Sequence, residues 1–462
     1  MQYPSLFLIR NLIKKIKYII TITIISLSTF STITVHDKVF PTYRIIIDPG
    51  HGGICKSPYK IHGDRFDKIS RKYLDYYNEG ASYKGLKEHI IVYNIAIRVK
   101  KILDLCSSNG DYEKFLKILK KFSDDYPSRV TIISKISRGN SGNRKEILKR
   151  DDINAEFRLF DFPDKNGLIQ PGRISKINFF KPHLTVSLHC ASWASRYFKG
   201  INPVIIPPYS FLYKGLLYLK GIEKNKRFFF DSAYRNWFVE SEKRNVFSWF
   251  LNDVSVYFTG YTLNNNGKIN LKQFRGYKYN MISWAYRDPP DWENSARNHT
   301  LNSHYASSFP GFVADGKFWE REQTKFEEYK RGAGEEGFGG DNLYASSEII
   351  RYILFSLNIK KPYKKLQKLG KPYISVWSLP LLVNAINAYI ELGYFNLWRD
   401  RYLLTKKMDL IAEGIAVGIY SLLTGLKPKN KKFKYIPKGK KIDLKKYLIT
   451  DDVSYFDICT PK

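Results

Sequence analysis

Three side chains of the sequence have the types that bind a catalytic zinc ion. His51 lies in the glycine-rich run Asp-Pro-Gly-His-Gly-Gly at 48–53, Glu88 stands at the start of a helical pattern, and His189 ends an alternating stretch. Two imidazoles and one carboxylate can hold zinc on three sides and leave a fourth position for water. Because zinc lowers the pKa of bound water toward ~7, this set of ligands predicts a hydrolytic site.

Hydrolysis of an amide also needs a carboxylate that takes a proton from the water and passes it to the departing amine. Glu391, in the hydrophobic stretch Tyr389–Tyr394, is the candidate for this role. The four residues are far apart in the chain, so they can act together only if the fold brings them to one place.

The residues before His51 predict a buried strand that ends at the site. Ile45–Ile47 are β-branched and apolar on both faces, and Pro49 and the glycines end the strand abruptly. Open α/β sheets place their chemistry at this carboxyl edge of the strands. On its own, a Gly-His-Gly run is more typical of a tight turn with a surface histidine, and the other two ligands change that interpretation.

The residues after Glu88 predict a helix with one apolar face. Ile91, Ile95 and Val99 recur at helical spacing, and Glu88 lies on the same inward face in the first turn. A buried carboxylate needs a partner or a metal, because isolated burial of a charge costs several kcal/mol. The alternative is that Glu88 only complements the helix dipole at this end.

Strict alternation over 184–190 predicts a strand with one apolar face, which includes Cys190. Thr185, Ser187 and His189 share the other face, so His189 is expected to end the strand beside small polar residues and to be accessible. His183 lies on that face too, but at ~3.3 Å per residue it is roughly 20 Å from His189 and cannot share its metal.

Four motifs occur in the order found in one family of enzymes. They are Ile-Asp-Pro-Gly-His-Gly-Gly at 47–53, Gly-Leu-Lys-Glu at 85–88, Val-Ser-Leu-His at 186–189 and Ile-Glu-Leu-Gly-Tyr at 390–394. In these motifs the chain resembles the zinc-dependent N-acetylmuramoyl-L-alanine amidases, the type 3 cell-wall amidases, over roughly residues 43–192 and 341–425. The resemblance implies an α/β fold, with a twisted mixed β-sheet flanked by helices and a large insertion before the last strand.

The same resemblance implies roles for individual residues. His51, Glu88 and His189 would bind zinc, and Glu391 would be the catalytic carboxylate. Arg173 and Asn178, just before the His189 strand, would contribute to substrate binding, while Ala191 stands where the family usually has asparagine. The implied substrate is peptidoglycan, cleaved at the amide between the lactyl group of N-acetylmuramic acid and L-alanine. The sequence does not identify an activator protein.

The predicted organisation has five segments. These are a signal or anchor segment at 1–40, the first part of the catalytic domain at 43–192, an insertion at 193–340, the second part of the catalytic domain at 341–425 and a basic tail at 426–462. Some members of the family carry an inserted helix that covers the metal. One hypothesis is therefore that residues 193–340 cover the metal in this protein, with Glu335 or Glu336 involved; the alternative is that the insertion is architectural or binds substrate.

His299 and His304, five residues apart, do not share a helical face and are interpreted as ordinary polar residues.

The N-terminal residues predict export. A positive flank, Arg10 to Lys17, precedes an uncharged stretch at 18–35, which is typical of a secretory signal or an uncleaved anchor. The alternative is a buried first helix. Export would place the protein in the periplasm or cell envelope. The four cysteines are too few and too scattered for a disulfide framework.

The charge of the chain predicts a polyanionic neighbour. Lys and Arg number 76 against 43 Asp and Glu, a formal net charge of +33. An exported protein meets wall polymers before chromosomes, so nucleic acid is not the expected partner. Ten lysines between Lys427 and Lys446 favour contact with an anionic membrane or wall surface, and a solvated extension is the alternative.

Two rival functions stay open: another zinc peptidase acting on the stem peptide, and a non-catalytic basic binder of envelope or nucleic acid that uses the aromatic residues of 192–340.

Overall fold

The computed structural model describes a large part of the chain after residue 39. The described residues are 40–52, 66–67, 72–73, 79–125, 127–139, 158–164, 166–194, 199–207, 209–230, 243–259, 261–274, 337–359, 368–374, 379–429 and 433–444. The predicted signal or anchor segment therefore lies outside the described residues, apart from Phe40. Within the described part of the chain, none of the helices is both long enough and apolar enough to cross a bilayer. The described residues from Thr42 onward form one compact unit.

A six-stranded mixed sheet is the centre of this unit. Its strands in chain order are β1 (Thr42–Pro49), β2 (Thr131–Ile136), β3 (Leu184–Ala191), β4 (Asn202–Ile205), β5 (Tyr373–Ile374) and β6 (Ile386–Tyr394). They lie in the order β5-β4-β6-β3-β1-β2, with β4 antiparallel to β6 and the other neighbouring pairs parallel. The predicted α/β class with a mixed sheet flanked by helices is confirmed.

Helices cover both faces of the sheet. They are α1 (Glu88–Leu103), α2 (Tyr112–Leu119), α3 (Arg173–Phe180), α4 (Tyr209–Leu219), α5 (Arg227–Phe230), α6 (Lys243–Thr259), α7 (Gly337–Asn358), α8 (Leu379–Leu382), α9 (Trp398–Lys406) and α10 (Met408–Thr424). Apolar residues of α1, α7 and α10 form one core with Ile45 and Ile47 of β1. Ile46 points to the opposite face, where it joins residues of α3, α4 and α6 in a second core.

Short hairpins complete the described structure. They pair Phe66–Asp67 with Lys72–Tyr73, Ser82–Tyr83 with Leu86–Lys87, Phe162–Pro163 with Ile169–Gln170, and Tyr261–Leu263 with Ile269–Phe274. The hairpin that ends at Lys87 leads directly into α1, so it fixes where that helix begins.

The alternation predicted for β3 matches its packing. Leu184, Val186, Leu188 and Cys190 all belong to the core formed with α1, α7 and α10. Cys190 is 2% exposed, so it packs as a small apolar residue, as the pattern predicts.

The described parts of 193–340 belong to the same compact unit as the sheet. Residues 202–205, inside the segment predicted as an insertion, form β4 and pair with β6. The segment also supplies much of the second core, through the aromatic side chains Phe211, Phe229, Phe247 and Phe250. His299, His304, Glu335 and Glu336 lie outside the described residues, and so do the predictions made on them.

The described part of the predicted basic tail packs on the helices. Gly439 donates its backbone N–H to Oε1 of Glu348 on α7 at 2.7 Å, and Ile442 donates to the carbonyl of Leu422 at 3.0 Å. Ile442 and Leu444 are buried in the core. Several lysines between them and α10 stay exposed, so this part of the tail is apolar toward the protein and basic toward solvent.

Candidate metal centre

The structure brings His51, Glu88 and His189 together. One ligand atom from each lies within 4.8 Å of the others, which makes them a group that could hold a metal ion. Nε2 of His51 is 3.5 Å from Oε2 of Glu88, and Nδ1 of His189 is 3.0 Å from Oε1 of Glu88. The two imidazole rings stand nearly at right angles, with centroids 5.0 Å apart. Three donors of the types that zinc prefers thus converge on one point.

The topology of the sheet explains this convergence. β1 and β3 are parallel neighbours, so the turn after β1 and the end of β3 lie at the same edge. His51 follows β1 in the left-handed region, with φ 56°, and Glu88 is the first residue of α1. The carboxylate therefore enters the site at a helix N-terminus, where negative charge is stabilised.

Gly50 and Gly80 leave the space that the ligands occupy. A Cβ on Gly50 would lie 2.2 Å from Cε1 of His189. Gly80 has φ +87°, and a Cβ there would lie 2.8 Å from Oε2 of Glu88 and from the ring of His51. Both positions need glycine because a ligand side chain fills the place of the missing methyl group.

The carboxylate of Glu88 is held by backbone groups as well as by the imidazoles. Ala81 donates its N–H to Oε2 at 2.6 Å, and Cys190 donates its N–H to Oε1 at 2.9 Å. Burial alone raises the pKa of Glu88, but His51, His189 and the N–H of Ala81 together outweigh burial, so the pKa is lowered. Glu88 is thus a fixed anion, which is the state that a metal ligand requires.

His189 is less accessible than its pattern predicts. It is 9% exposed, because the ring of Tyr389 lies 4.5 Å from its ring and Gly50 packs against it. Burial by itself lowers the pKa of His189, but its hydrogen bond to Glu88 and the nearby charges of Glu88 and Glu391 raise the pKa overall. The local negative charge is therefore large, which favours a bound cation.

Glu391 lies beside this group. In the pairing of β6 with β3, its Cα is the partner of the Cα of His189. No described residue bonds to its Oε2, which is buried. Burial raises the pKa of Glu391 to about 7, with Glu88 raising it further and His189 opposing. A buried carboxylate oxygen with no donor, next to two imidazoles and a second carboxylate, fits a site completed by a cation and water.

Arg173 and Asn178 are placed inside the protein by α3. Arg173 is 3% exposed; it bonds to Oδ1 of Asp48 at 3.3 Å and to the carbonyl of Pro49 at 2.9 Å. Asn178 donates to the carbonyl of Leu382 and accepts from the N–H of Asn384. These contacts hold the end of β1 and the approach to β6, and the substrate-binding role of both residues stays a prediction.

Arg138 is a residue of the site that the sequence reasoning missed. Its buried guanidinium donates to the carbonyls of Pro49 at 2.9 Å, Gly50 at 3.0 Å and His89 at 2.7 Å. It therefore ties the turn that carries His51 to the first turn of α1, which carries Glu88. The one available signal was its place directly after β2, at the same sheet edge as the histidine turn.

Among the comparisons with known proteins, the one with solved structures finds similar proteins. No family model matches the chain, and no curated protein matches it. Among solved structures it is similar to the N-acetylmuramyl-L-alanine amidase Ami1 from Mycobacterium smegmatis, with 12% identity, a TM-score of 0.34, and coverage of 83% of this chain and 97% of that one. It is also similar to Ami1 from Mycobacterium abscessus, with 11% identity, a TM-score of 0.33, and coverage of 82% and 97%.

A third similar structure is the N-acetylmuramoyl-L-alanine amidase from Clostridium difficile 630. Here the identity is 11% and the TM-score is 0.27, with 82% of this chain and 96% of that chain covered. With such low identities and TM-scores, the function of this chain has to be inferred from its own residues.

Proposed function

We propose that this protein is a zinc-dependent hydrolase of peptidoglycan that cleaves the amide between the lactyl group of N-acetylmuramic acid and L-alanine. The observation that carries the proposal is the convergence of His51, Glu88 and His189 within 4.8 Å, with Glu391 paired to His189 on the next strand. Burial of two carboxylates beside two imidazoles costs free energy unless the charges are compensated, and a bound cation would compensate them.

The donor set suits zinc better than the hard divalent cations. Two imidazole nitrogens and a single carboxylate are typical zinc ligands, whereas magnesium and calcium prefer oxygen donors throughout. When bound, zinc would supply a Lewis acid for the amide carbonyl and a water of lowered pKa.

The side chain of Glu391 would move the proton. With a pKa raised to about 7, its carboxylate can accept a proton from the attacking water near neutral pH. The same group can then donate that proton to the alanine nitrogen as the C–N bond breaks, which gives the lactyl carboxylic acid and a neutral amine. The acid then loses its remaining proton to solvent. A carboxylate with an ordinary pKa would be a weaker base toward the attacking water in the first step.

The substrate class is inferred from the four sequence motifs and from charge. The motifs that contain His51, Glu88, His189 and Glu391 follow the order of the muramoyl-alanine amidases. A net charge of +33 would attract a wall polymer with free carboxylates, and the affinity should fall as salt increases. Export through residues 18–35, an envelope or periplasmic location, and contact of Lys427–Lys446 with an anionic surface belong to the same proposal.

The test is digestion of purified peptidoglycan by the full-length protein. Reactions would be run as purified, with a chelator, and with a chelator followed by added zinc. The products would be identified by mass spectrometry. We expect released stem peptides that begin with a free alanine amine, loss of this product with chelator, and its recovery with zinc.

Other outcomes would favour the rival functions. Zinc-dependent products cut inside the stem peptide would identify a peptidase instead of an amidase. Binding of the polymer that survives the chelator, with no product in any reaction, would identify a non-catalytic binder.

A further inference from the structure

Two aromatic side chains meet on the surface next to the metal centre. The rings of Tyr83 and Trp193 are perpendicular, with centroids 5.7 Å apart. Trp193 is 69% exposed, which is unusual for so large an apolar side chain in contact with another ring. We call Tyr83 and Trp193 the aromatic platform.

Hydrogen bonds tie the hairpin that carries Tyr83 to Glu88 and to the end of β3, which precedes Trp193. Tyr83 belongs to the hairpin before α1, and Ala81 in the same segment exchanges hydrogen bonds with Glu88 through its N–H and its carbonyl. Ser82 and Ser192 join the hairpin to the end of β3 at 3.2 Å and 3.3 Å. Because Trp193 follows His189 by four residues, its Cα lies at most about 14 Å from that of His189.

Positive charge surrounds the Tyr83 ring. The guanidinium of Arg401 lies 5.2 Å from the ring centroid, and the ammonium of Lys84 lies 5.6 Å from it. Nη1 of Arg401 also donates to the carbonyl of Phe395 at 2.5 Å, which fixes its position. The cations hold Tyr83 in place by cation–π attraction, while the indole of Trp193 stays open to solvent.

We propose that the aromatic platform is a sugar-binding subsite, on which Trp193 stacks against the N-acetylhexosamine ring that neighbours the muramic acid carrying the scissile amide. The inference rests on the proposed function, because it assumes that the site acts on peptidoglycan. A flat, exposed indole suits the C–H face of a sugar ring, since stacking removes apolar surface from water while the sugar hydroxyls stay solvated. The cations of Arg401 and Lys84 match the carboxylates that stem peptides add to the same polymer.

The test compares Trp193→Ala with Trp193→Phe and with the matched control Trp249→Ala. Trp249 is 66% exposed on α6, so its replacement removes an equally exposed indole elsewhere. Binding would be measured with a chelator present, by sedimentation with insoluble peptidoglycan and by calorimetry with glycan chains stripped of peptides. We expect Trp193→Ala to weaken both interactions by about three- to ten-fold, while Trp193→Phe and Trp249→Ala stay within about two-fold of wild type.

Kinetics provide the second readout. On the polymer, Trp193→Ala should raise KM with little change in kcat, and it should behave as wild type on a muramoyl-peptide with no neighbouring sugar. Unchanged binding of peptide-free glycan by Trp193→Ala would overturn the subsite, even if amidase activity is present. Absence of amidase activity in wild type, with weaker glycan binding by Trp193→Ala, would contradict the proposed reaction but support the subsite.

Discussion

Glu391 and His189 face each other as Cα partners on the neighbouring parallel strands β6 and β3. The proposed proton carrier and one proposed metal ligand are therefore fixed relative to each other by backbone pairing of the sheet. A sheet holds such a pair more accurately than a loop does, which suits a reaction that depends on the distance between water and base.

Replacement of Glu391 should separate proton transfer from metal binding. Glu391→Gln keeps the size of the side chain but cannot accept the proton, so we expect kcat to fall by about 10²- to 10⁴-fold. Because Glu391 is not in the converging ligand group, zinc content by atomic emission should match wild type. Loss of zinc together with activity would mean that Glu391 is a ligand.

The glycine at position 80 should be essential for the ligand arrangement. Gly80→Ala places a methyl group 2.8 Å from Oε2 of Glu88 and from the ring of His51, so zinc affinity should fall by about ten-fold or more. Gly85→Ala is the matched control, because Gly85 also has a positive φ of +80° but has nothing within 4 Å. Both variants should lose about 1 kcal/mol of stability from backbone strain. Zinc titration that gives equal affinities for the two variants would contradict the prediction.

Arg138 should act as a positioning residue. Arg138→Met removes the guanidinium that donates to the carbonyls of Pro49, Gly50 and His89, so we expect a lower Tm and a zinc affinity reduced by roughly 10- to 100-fold. Arg98→Met on α1 is the control, since Arg98 makes an exposed ion pair with Asp409, worth at most about 1 kcal/mol. If Arg138→Met lowers the Tm but binds zinc as tightly as Arg98→Met, its role is structural only.

Asp400 should make the stability depend on pH. Burial raises the pKa of Asp400 from 3.8 to about 7, although the N–H of Tyr394 and the charge of Arg399 oppose this. Between these values the unfolded chain has lost a proton that the folded protein keeps, so the free energy of unfolding falls as pH rises. Relative to Asp400→Asn, which stays neutral, wild type should lose up to about 3 kcal/mol between about pH 5 and pH 8.

Urea denaturation of both proteins at the two pH values, with a chelator present, would measure this difference. A constant difference between wild type and Asp400→Asn across that range would show that Asp400 is ionised in the folded protein.

Local patterns predicted the parts of the fold that carry the ligands. The alternation in β3 predicted that Cys190 is buried, and the helical spacing after Glu88 predicted that the Glu88 side chain lies on the inward face of α1. These predictions succeeded because each depends on one element and on burial of one face. β4 could not be predicted in this way, since four residues that include Pro203 carry no periodic signal.

The groups that support the site were harder to predict than the ligands. Arg138 is one of 76 Lys and Arg residues, and only its place after β2 distinguishes it from those in solvent. Its partners lie 49 to 89 positions away in the chain, so its role exists only after β1, β2 and α1 have assembled. The covering of His189 by Tyr389 likewise comes from a neighbouring strand.

The segment 433–444 has a practical consequence for anyone who prepares recombinant fragments. Glu348 is fully buried, and it accepts the N–H of Gly439 in addition to its ion pair with Arg351. A fragment that stops at residue 425, the predicted end of the catalytic domain, would uncover this carboxylate and remove Ile442 and Leu444 from the apolar surface they complete. Expression trials should therefore extend through residue 444, since the shorter fragment is expected to be aggregation-prone.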